Sequence, residues 1–73
     1  MTGYDRLMEI IVIDNDLSLK EAAARIGINE MSFTWWKRDK CAPKSTFILM
    51  AFCDEFNISA DWLLFGIGKK ERE

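Results

Sequence analysis

The residue types that carry out covalent or metal chemistry are scarce in this 73-residue chain. It has no histidine and two cysteines, Cys41 and Cys53, whose separation does not match the close pairing of metal ligands. No glycine-rich phosphate loop accompanies them, and no serine or cysteine has a base that the spacing would bring near. We therefore expect neither an enzyme nor a bound metal or cofactor, and we expect reduced thiols rather than a disulfide.

A basic segment directly follows two adjacent tryptophans, Trp35 and Trp36. Residues 37–44, "KRDKCAPK", contain four cations and one anion, a local charge of +3, whereas the whole chain has a formal charge of −2. One basic patch on an acidic chain suits a polyanionic partner, although a solvated surface produces the same pattern. Because neighbouring residues of a helix point about 100° apart, the two tryptophans cannot both face one core. One of them is therefore expected at the surface, beside the cations.

Five short helices are expected to position these side chains. Ser18 with Glu21 three residues later is a capping-box pattern, and Gly27 is suited to end the same helix. Asn57 is expected to end the fourth helix, and Gly66 the fifth. The helices are predicted at about 4–13, 19–26, 30–38, 45–56 and 60–65.

Apolar residues at helical spacing predict one small core. The short connections between helices favour a compact orthogonal bundle over a coiled coil. The longest apolar run, "IIVI", is too short to span a membrane, and the N-terminus lacks the basic start of a signal peptide, so we expect a soluble, cytoplasmic protein. The predicted core residues are Leu7, Ile10, Leu17, Ala23, Ile26, Ile28, Phe33, Trp36, Leu49, Phe52, Phe56, Ile58, Trp62 and Leu63.

The second and third helices meet the physical requirements of a helix-turn-helix. Three alanines, residues 22–24, let the helices cross closely, Gly27 allows the chain to reverse, and Ile28 can fill the gap between the helices. Phe33 and Trp36 form an inward apolar stripe on the second helix of the motif. Its free face carries Glu30, Met31, Thr34, Trp35 and Arg38.

The segments "LSLKEAAARIGIN", "WKRDKCAP" and "ISADWLLFG" resemble the lambda-repressor-like (Xre-type) DNA-binding domain. Within that family they are most similar to the N-terminal helix-turn-helix domain of phage CI-type repressors. The resemblance covers about residues 5–68, and the three segments fall at the family's spacing. It implies an all-α, compact five-helix lambda-repressor-like bundle, with residues 1–68 as a helix-turn-helix DNA-binding domain and residues 69–73 as a charged tail or the start of a linker.

The resemblance also implies sequence-specific DNA binding as a transcriptional repressor, with helix 30–38 in the major groove. The implied partner is a two-fold double-stranded DNA operator bound by a homodimer, without a cofactor, a small-molecule substrate or a membrane. The residues expected to approach base edges are Glu30, Met31, Ser32, Thr34 and Trp35. The residues expected to neutralise phosphates are Lys20, Lys37, Arg38, Lys40 and Lys44.

Several apolar residues exceed what so small a core can hold, and these are candidates for dimer contacts. In CI-type repressors a second domain usually dimerises, so the chain is either a fragment of a larger repressor or a complete small regulator. The surplus residues are Phe47 and Ile48, or Val12, Ile13, Phe65 and Ile67.

A protein-interaction module with the same fold, such as an antirepressor or a regulator's partner, is the alternative. Leu19 stands where family members usually have a polar residue, and Asp39 replaces the glycine that follows the second helix of the motif. Glu30 accepts hydrogen bonds only from cytosine and is repelled by phosphates. Together with the apolar pair Met31 and Trp35, these residues leave open whether Trp35 meets a base pair or another protein.

Overall fold

The computed structural model describes residues 1–72, and nearly all of its regular structure within them is helical. The predicted all-α class is confirmed: five α-helices form a compact bundle of 29 × 23 × 22 Å. The helices are α1 (Gly3–Met8), α2 (Leu19–Ile26), α3 (Met31–Asp39), α4 (Thr46–Phe56) and α5 (Ala60–Phe65), and a π-helical segment (Glu9–Asp14) follows α1.

The predicted capping residues lie where the helices begin and end. Ser18 accepts a hydrogen bond from the backbone N–H of Glu21, and the Glu21 carboxylate accepts one from the Ser18 backbone in return. Gly27 ends α2 in the left-handed conformation, with φ +84°, and the same conformation ends α4 at Asn57 and α5 at Gly66. These local signals fixed most helix boundaries.

The first helix differs from the prediction of one regular helix over 4–13. After Met8 the backbone widens into the π-helical segment. Two residues that follow this segment then donate hydrogen bonds to carbonyls within it. The Asn15 side-chain amide donates to the Ile10 carbonyl at 2.6 Å, and the Leu17 N–H donates to the Ile11 carbonyl at 2.9 Å. Ile10 and Ile11 are both buried as a result.

Three aromatic rings form the centre of the core. Phe33 lies edge-on to Trp36 with ring centres 5.2 Å apart, and Phe52 lies 6.1 Å from each of them. Cys53 is fully buried beside them in the core. Four predicted core residues are only half-buried at its edge, namely Ile26, Ile28, Phe56 and Trp62, whereas Ile11, Ala22 and Ala42 are additional buried residues.

Arg6 is a buried cation that the sequence analysis did not identify. Its Nε and Nη2 atoms donate to the carbonyls of Leu63 and Leu64, each at 2.9 Å, and its Nη1 atom donates to the Met1 carbonyl at 3.1 Å. The Leu63 and Leu64 carbonyls belong to the last turn of α5, where a positive charge is favourable. Arg6 therefore joins the first helix to the last.

Residues 69–72, which we call the C-terminal strap, lie against the bundle. The Ser59 N–H donates to the Lys70 carbonyl at 2.9 Å, the Arg72 N–H donates to the Asn57 carbonyl at 3.0 Å, and Ile58 forms an antiparallel bridge with Glu71. A frayed tail or linker start was expected over residues 69–73. The strap differs from that expectation because its backbone pairs with the turn between α4 and α5, while Glu73 lies outside the described residues.

Lys70 anchors the strap to the opposite end of the chain. Its Nζ atom lies 2.9 Å from Glu9 Oε2 and 2.8 Å from Asp14 Oδ2, and 5.7 Å from the centre of the Trp62 ring. The hydrogen bonds to Asp14 and Glu9 raise the pKa of Lys70 above its ordinary value. Arg72 adds an ion pair with Asp54 at 2.7 Å.

None of the helices formed by residues 1–72 combines the length and apolar character that a membrane crossing requires.

Candidate nucleic-acid interface

The turn between α2 and α3 sets the direction of α3. The N–H groups of Gly27 and Ile28 both donate to the Ala23 carbonyl, at 2.8 and 3.0 Å, which ends α2 and reverses the chain. Asn29, two positions before the first residue of α3, then accepts a hydrogen bond from the Met31 N–H at its Oδ1 atom, at 2.8 Å. Ala23 is buried and Ile28 packs at the edge of the core, as the motif requires.

The two tryptophans have the opposite environments that helical geometry requires. Trp36 is 8% exposed and belongs to the core, whereas Trp35 is 53% exposed. Residues three, four and seven positions after Met31, Trp35 among them, lie on the same side of the helix as Met31. We call this surface the outward stripe; it comprises Met31, Thr34, Trp35 and Arg38, all exposed.

The residues predicted to contact DNA are accessible. All are exposed except Ser32, which is half-buried beside the inward stripe. Three of them, Glu30, Thr34 and Lys37, line one small cleft, and Lys40 and Lys44 line a second one beside the loop before α4. Lys20 lies on a different helix, α2, in its first turn.

The basic segment contains its own counterion. Asp39 Oδ1 lies 3.3 Å from Arg38 Nε, and Asp39 Oδ2 lies 3.5 Å from Lys44 Nζ. The hydrogen bond from Arg38 is the main reason why the pKa of Asp39 is below its ordinary value. Such exposed pairs are weak in water, so a phosphate can replace Asp39. Within residues 1–72, Lys37 and Lys40 form no ion pair of their own.

A close backbone contact holds the loop that carries these cations. A Cβ atom built on Gly3 would lie 2.6 Å from the Ala42 backbone nitrogen, so only glycine fits where α1 meets this loop. Ala42 and Pro43 are buried, which fixes the lysines on either side of them at the surface. The packing of α1 therefore positions Lys40 and Lys44 relative to α3.

The N-termini of α2 and α4 differ in what they offer an anion. At α2 the Glu21 carboxylate already occupies the end of the helix through its capping box, and this interaction lowers the pKa of Glu21. At α4 the exposed Ser45 makes no side-chain capping hydrogen bond. The first N–H groups of α4, next to Lys44, are therefore the ones suited to a phosphate.

Tyr4 and Leu19 belong to this surface, although the sequence analysis did not place them there. Both are half-buried and line the same cleft as Glu30, Thr34 and Lys37, with Phe33 at its base. Burial raises the pKa of the Tyr4 phenol, which stays protonated and can donate a hydrogen bond. No local sequence signal marks this contact, because the packing of α1 and α2 against α3 creates it.

The geometry offers little for metal or covalent chemistry. Within residues 1–72, no group of three or more His, Cys, Asp or Glu side chains is placed to hold a metal ion. Cys41 is half-buried in the loop before α4. Burial raises the pKa of the Cys53 thiol, which keeps it in its unreactive protonated form.

Comparison with protein-family models, with curated proteins and with solved structures finds no match to this chain.

Proposed function

We propose that this chain is a sequence-specific DNA-binding domain of the transcriptional repressor type, which places α3 in the major groove. The observation that carries the proposal is the outward stripe of α3, which is exposed and is followed directly by exposed cations. A major groove about 12 Å wide admits one α-helix. The proposed role is binding rather than catalysis, in the cytoplasm.

The charge distribution supports a polyanionic partner despite the overall charge of −2. Charges separated by more than the Debye length, about 8–10 Å at physiological salt, are largely screened, so the local patch dominates at the surface. Lys37, Lys40 and Lys44 would contact phosphates beyond the C-terminal end of α3, and Lys20 would contact them from α2. Arg38 would do so after it exchanges Asp39 for a phosphate.

A homodimer on a two-fold operator is part of the proposal, because one domain this small makes few contacts. Phe47 is 89% exposed, and Phe65 and Ile67 are 65% and 64% exposed, so apolar surface remains for a second copy or for a further domain. Val12 and Ile13 are also exposed, whereas Ile48 packs against the core and is less suited to the role that the sequence suggested for it.

The test is a selection of bound sequences from random duplexes at two salt concentrations. We expect one enriched sequence pattern and an affinity that falls with salt. Lys37→Ala should weaken binding to all sequences alike and reduce the slope of log affinity against log salt by about 1. Arg25→Ala, which removes an exposed cation paired with Glu55 at 3.7 Å, is the matched control and should leave that slope unchanged. A slope near zero with no enriched sequence would contradict the proposal.

A protein-interaction module, such as an antirepressor or a regulator's partner, is the second candidate function. It is favoured by the 56% exposure of Met31 beside Trp35, and by Asp39, which engages two of the four cations. Trp35→Ala separates the two candidates. A variant that loses a protein partner but keeps DNA retention would favour the second, whereas loss of DNA binding favours the first.

A further inference from the structure

The side chains at the centre of the outward stripe are suited to methyl groups rather than to hydrogen-bonding base edges. Met31 and Trp35 present mainly apolar surface, and Thr34 presents a methyl group beside its hydroxyl. We infer, resting on the DNA-binding function proposed above, that this stripe recognises thymine through the C5-methyl groups of T·A pairs in the major groove.

The first step is the shortage of side chains that read purines. Guanine is usually recognised by Arg or Lys in bidentate geometry, and adenine by Asn or Gln. The chain contains no glutamine, and α3 contains no asparagine. Asn29 lies just before α3, but its side-chain oxygen already accepts the Met31 N–H. Lys37 and Arg38 both lie in the last turn of α3, away from Met31, and Arg38 has its Nε on Asp39.

The second step is the cleft beside the stripe, in which apolar side chains lie among polar ones. Leu19, Phe33 and the Thr34 methyl group provide its apolar surface, and the cleft is also lined by Tyr4, Glu30 and Lys37. Leu19 cannot hydrogen-bond a base or a phosphate, but a branched aliphatic side chain at this position can contact a methyl group. Leu19, where the resembled family usually has a polar residue, is therefore suited to the same thymine methyl groups as Met31 and Thr34.

The third step is charge complementarity, which selects DNA as the occupant of this apolar surface. Lys37 lies at the cleft, and Lys40 follows α3 directly. Both are exposed, and neither has an ion-pair partner among the residues that the structure describes. An apolar strip with cations at its C-terminal end matches the thymine methyl groups of a major groove, which is bordered by phosphate backbones.

The test replaces thymine by uracil in the duplex that the full chain selects. This exchange removes one methyl group from the major groove and leaves base pairing and the minor groove unchanged. We expect affinity to fall by about fourfold for each thymine that the stripe contacts, the factor that corresponds to burying one methyl group. The substitution should have no effect at thymines outside the contacted positions.

Two exposed substitutions assign the effect to the stripe without endangering the fold. Met31→Ala and Thr34→Ser, which keeps the hydroxyl, should each reduce the preference for thymine over uracil. Met50→Ala is the matched control, because this methionine is 41% exposed but lies on α4 and should retain the full preference.

The outcomes separate the two proposals. A chain that selects a sequence but binds its thymine and uracil forms equally overturns the thymine inference and leaves the DNA-binding function standing. A chain that selects no sequence from random duplexes overturns both.

Discussion

Trp35 and Trp36 are consecutive in the chain but have different consequences for the molecule. Trp36 packs edge-on against Phe33 and Phe52, so Trp36→Ala should lower the free energy of unfolding by about 3–5 kcal/mol through the cavity that it leaves. Trp35→Ala, at an exposed position, is the control and should change it by less than about 0.5 kcal/mol. Denaturant unfolding of the two variants measures the difference, and equal effects would contradict the register of α3.

Asp39 holds two cations of the basic segment near each other, an effect that the number of cations alone does not reveal. Because it engages both Arg38 and Lys44, the segment holds its long side chains near one another before any ligand binds. A phosphate that displaces Asp39 therefore meets cations already gathered, although these exposed pairs contribute little to stability. Lys37 and Lys40 are the residues through which the first electrostatic attraction is expected to act.

Helix capping is the feature of the elements whose contribution can be measured most directly. Ser18→Ala removes the hydrogen bond that the Ser18 hydroxyl accepts from the Glu21 N–H at the start of α2, and it should lower the free energy of unfolding by about 1 kcal/mol. Ser45→Ala is the matched control: it is also an N-cap, but its side chain makes no capping hydrogen bond, so we expect a change below about 0.5 kcal/mol. Thermal or urea unfolding at neutral pH provides the measurement.

The capping box should also make the stability of α2 depend on pH. Hydrogen bonds from Ser18 lower the pKa of Glu21 in the folded chain. Its contribution is therefore present above the unfolded-state pKa of about 4.3, and it is lost as the pH falls through the lower folded value. In Glu21→Gln, which removes the titrating carboxyl group, this part of the acid dependence should disappear, and unfolding free energies with the same dependence on acid pH in both chains would contradict the assignment.

The boundaries of the helices could be predicted from local sequence signals, whereas contacts between residues far apart in the chain could not. Ser18, Gly27 and Asn57 act on residues within a few positions, so their types alone indicate where a helix begins or ends. The π-helical segment depends on two donors that follow it, and "IIVI" is equally compatible with a regular helix. For the same reason, the outward position of Trp35 could be predicted but the cleft beside it could not.

At the scale of the whole molecule, Lys70 is the residue that connects the two ends. Lys70→Met should lower the free energy of unfolding at neutral pH, because it leaves Glu9 and Asp14 facing each other without a cation. The pKa of Lys70 is raised in the folded chain, so its contribution is complete below the unfolded pKa of about 10.4 and is lost as the pH rises beyond it.

Unfolding measured between neutral and strongly alkaline pH tests this assignment. The difference between the original chain and Lys70→Met should be constant near neutral pH and should shrink above about pH 10.4. Lys20→Met, at an exposed position on α2, is the control and should show no such convergence. A constant difference over the whole range would show that Lys70 acts through packing on Trp62 rather than through its charge.

The sequence suggested a frayed tail or the start of a linker over the strap because its residues are polar and charged. Its hydrogen bonds instead reach other elements, among them Glu9 and Asp14 near the start of the chain and the turn after α4. Arg6 was missed for the same reason, since its acceptors are carbonyls that composition cannot reveal. The fold class could be predicted from periodicity, but the contacts that join its two ends could not.

The ion pair of Lys70 with Glu9 joins residues 61 positions apart, which has a consequence for the order of assembly. Closing a loop of nearly the whole chain costs more entropy than any contact within the helix-turn-helix, so it becomes favourable only when the helices have already gathered. The strap is thus expected to join last during folding and to detach first when the molecule opens. A brief local opening can therefore release the strap while α3 and its outward stripe remain intact.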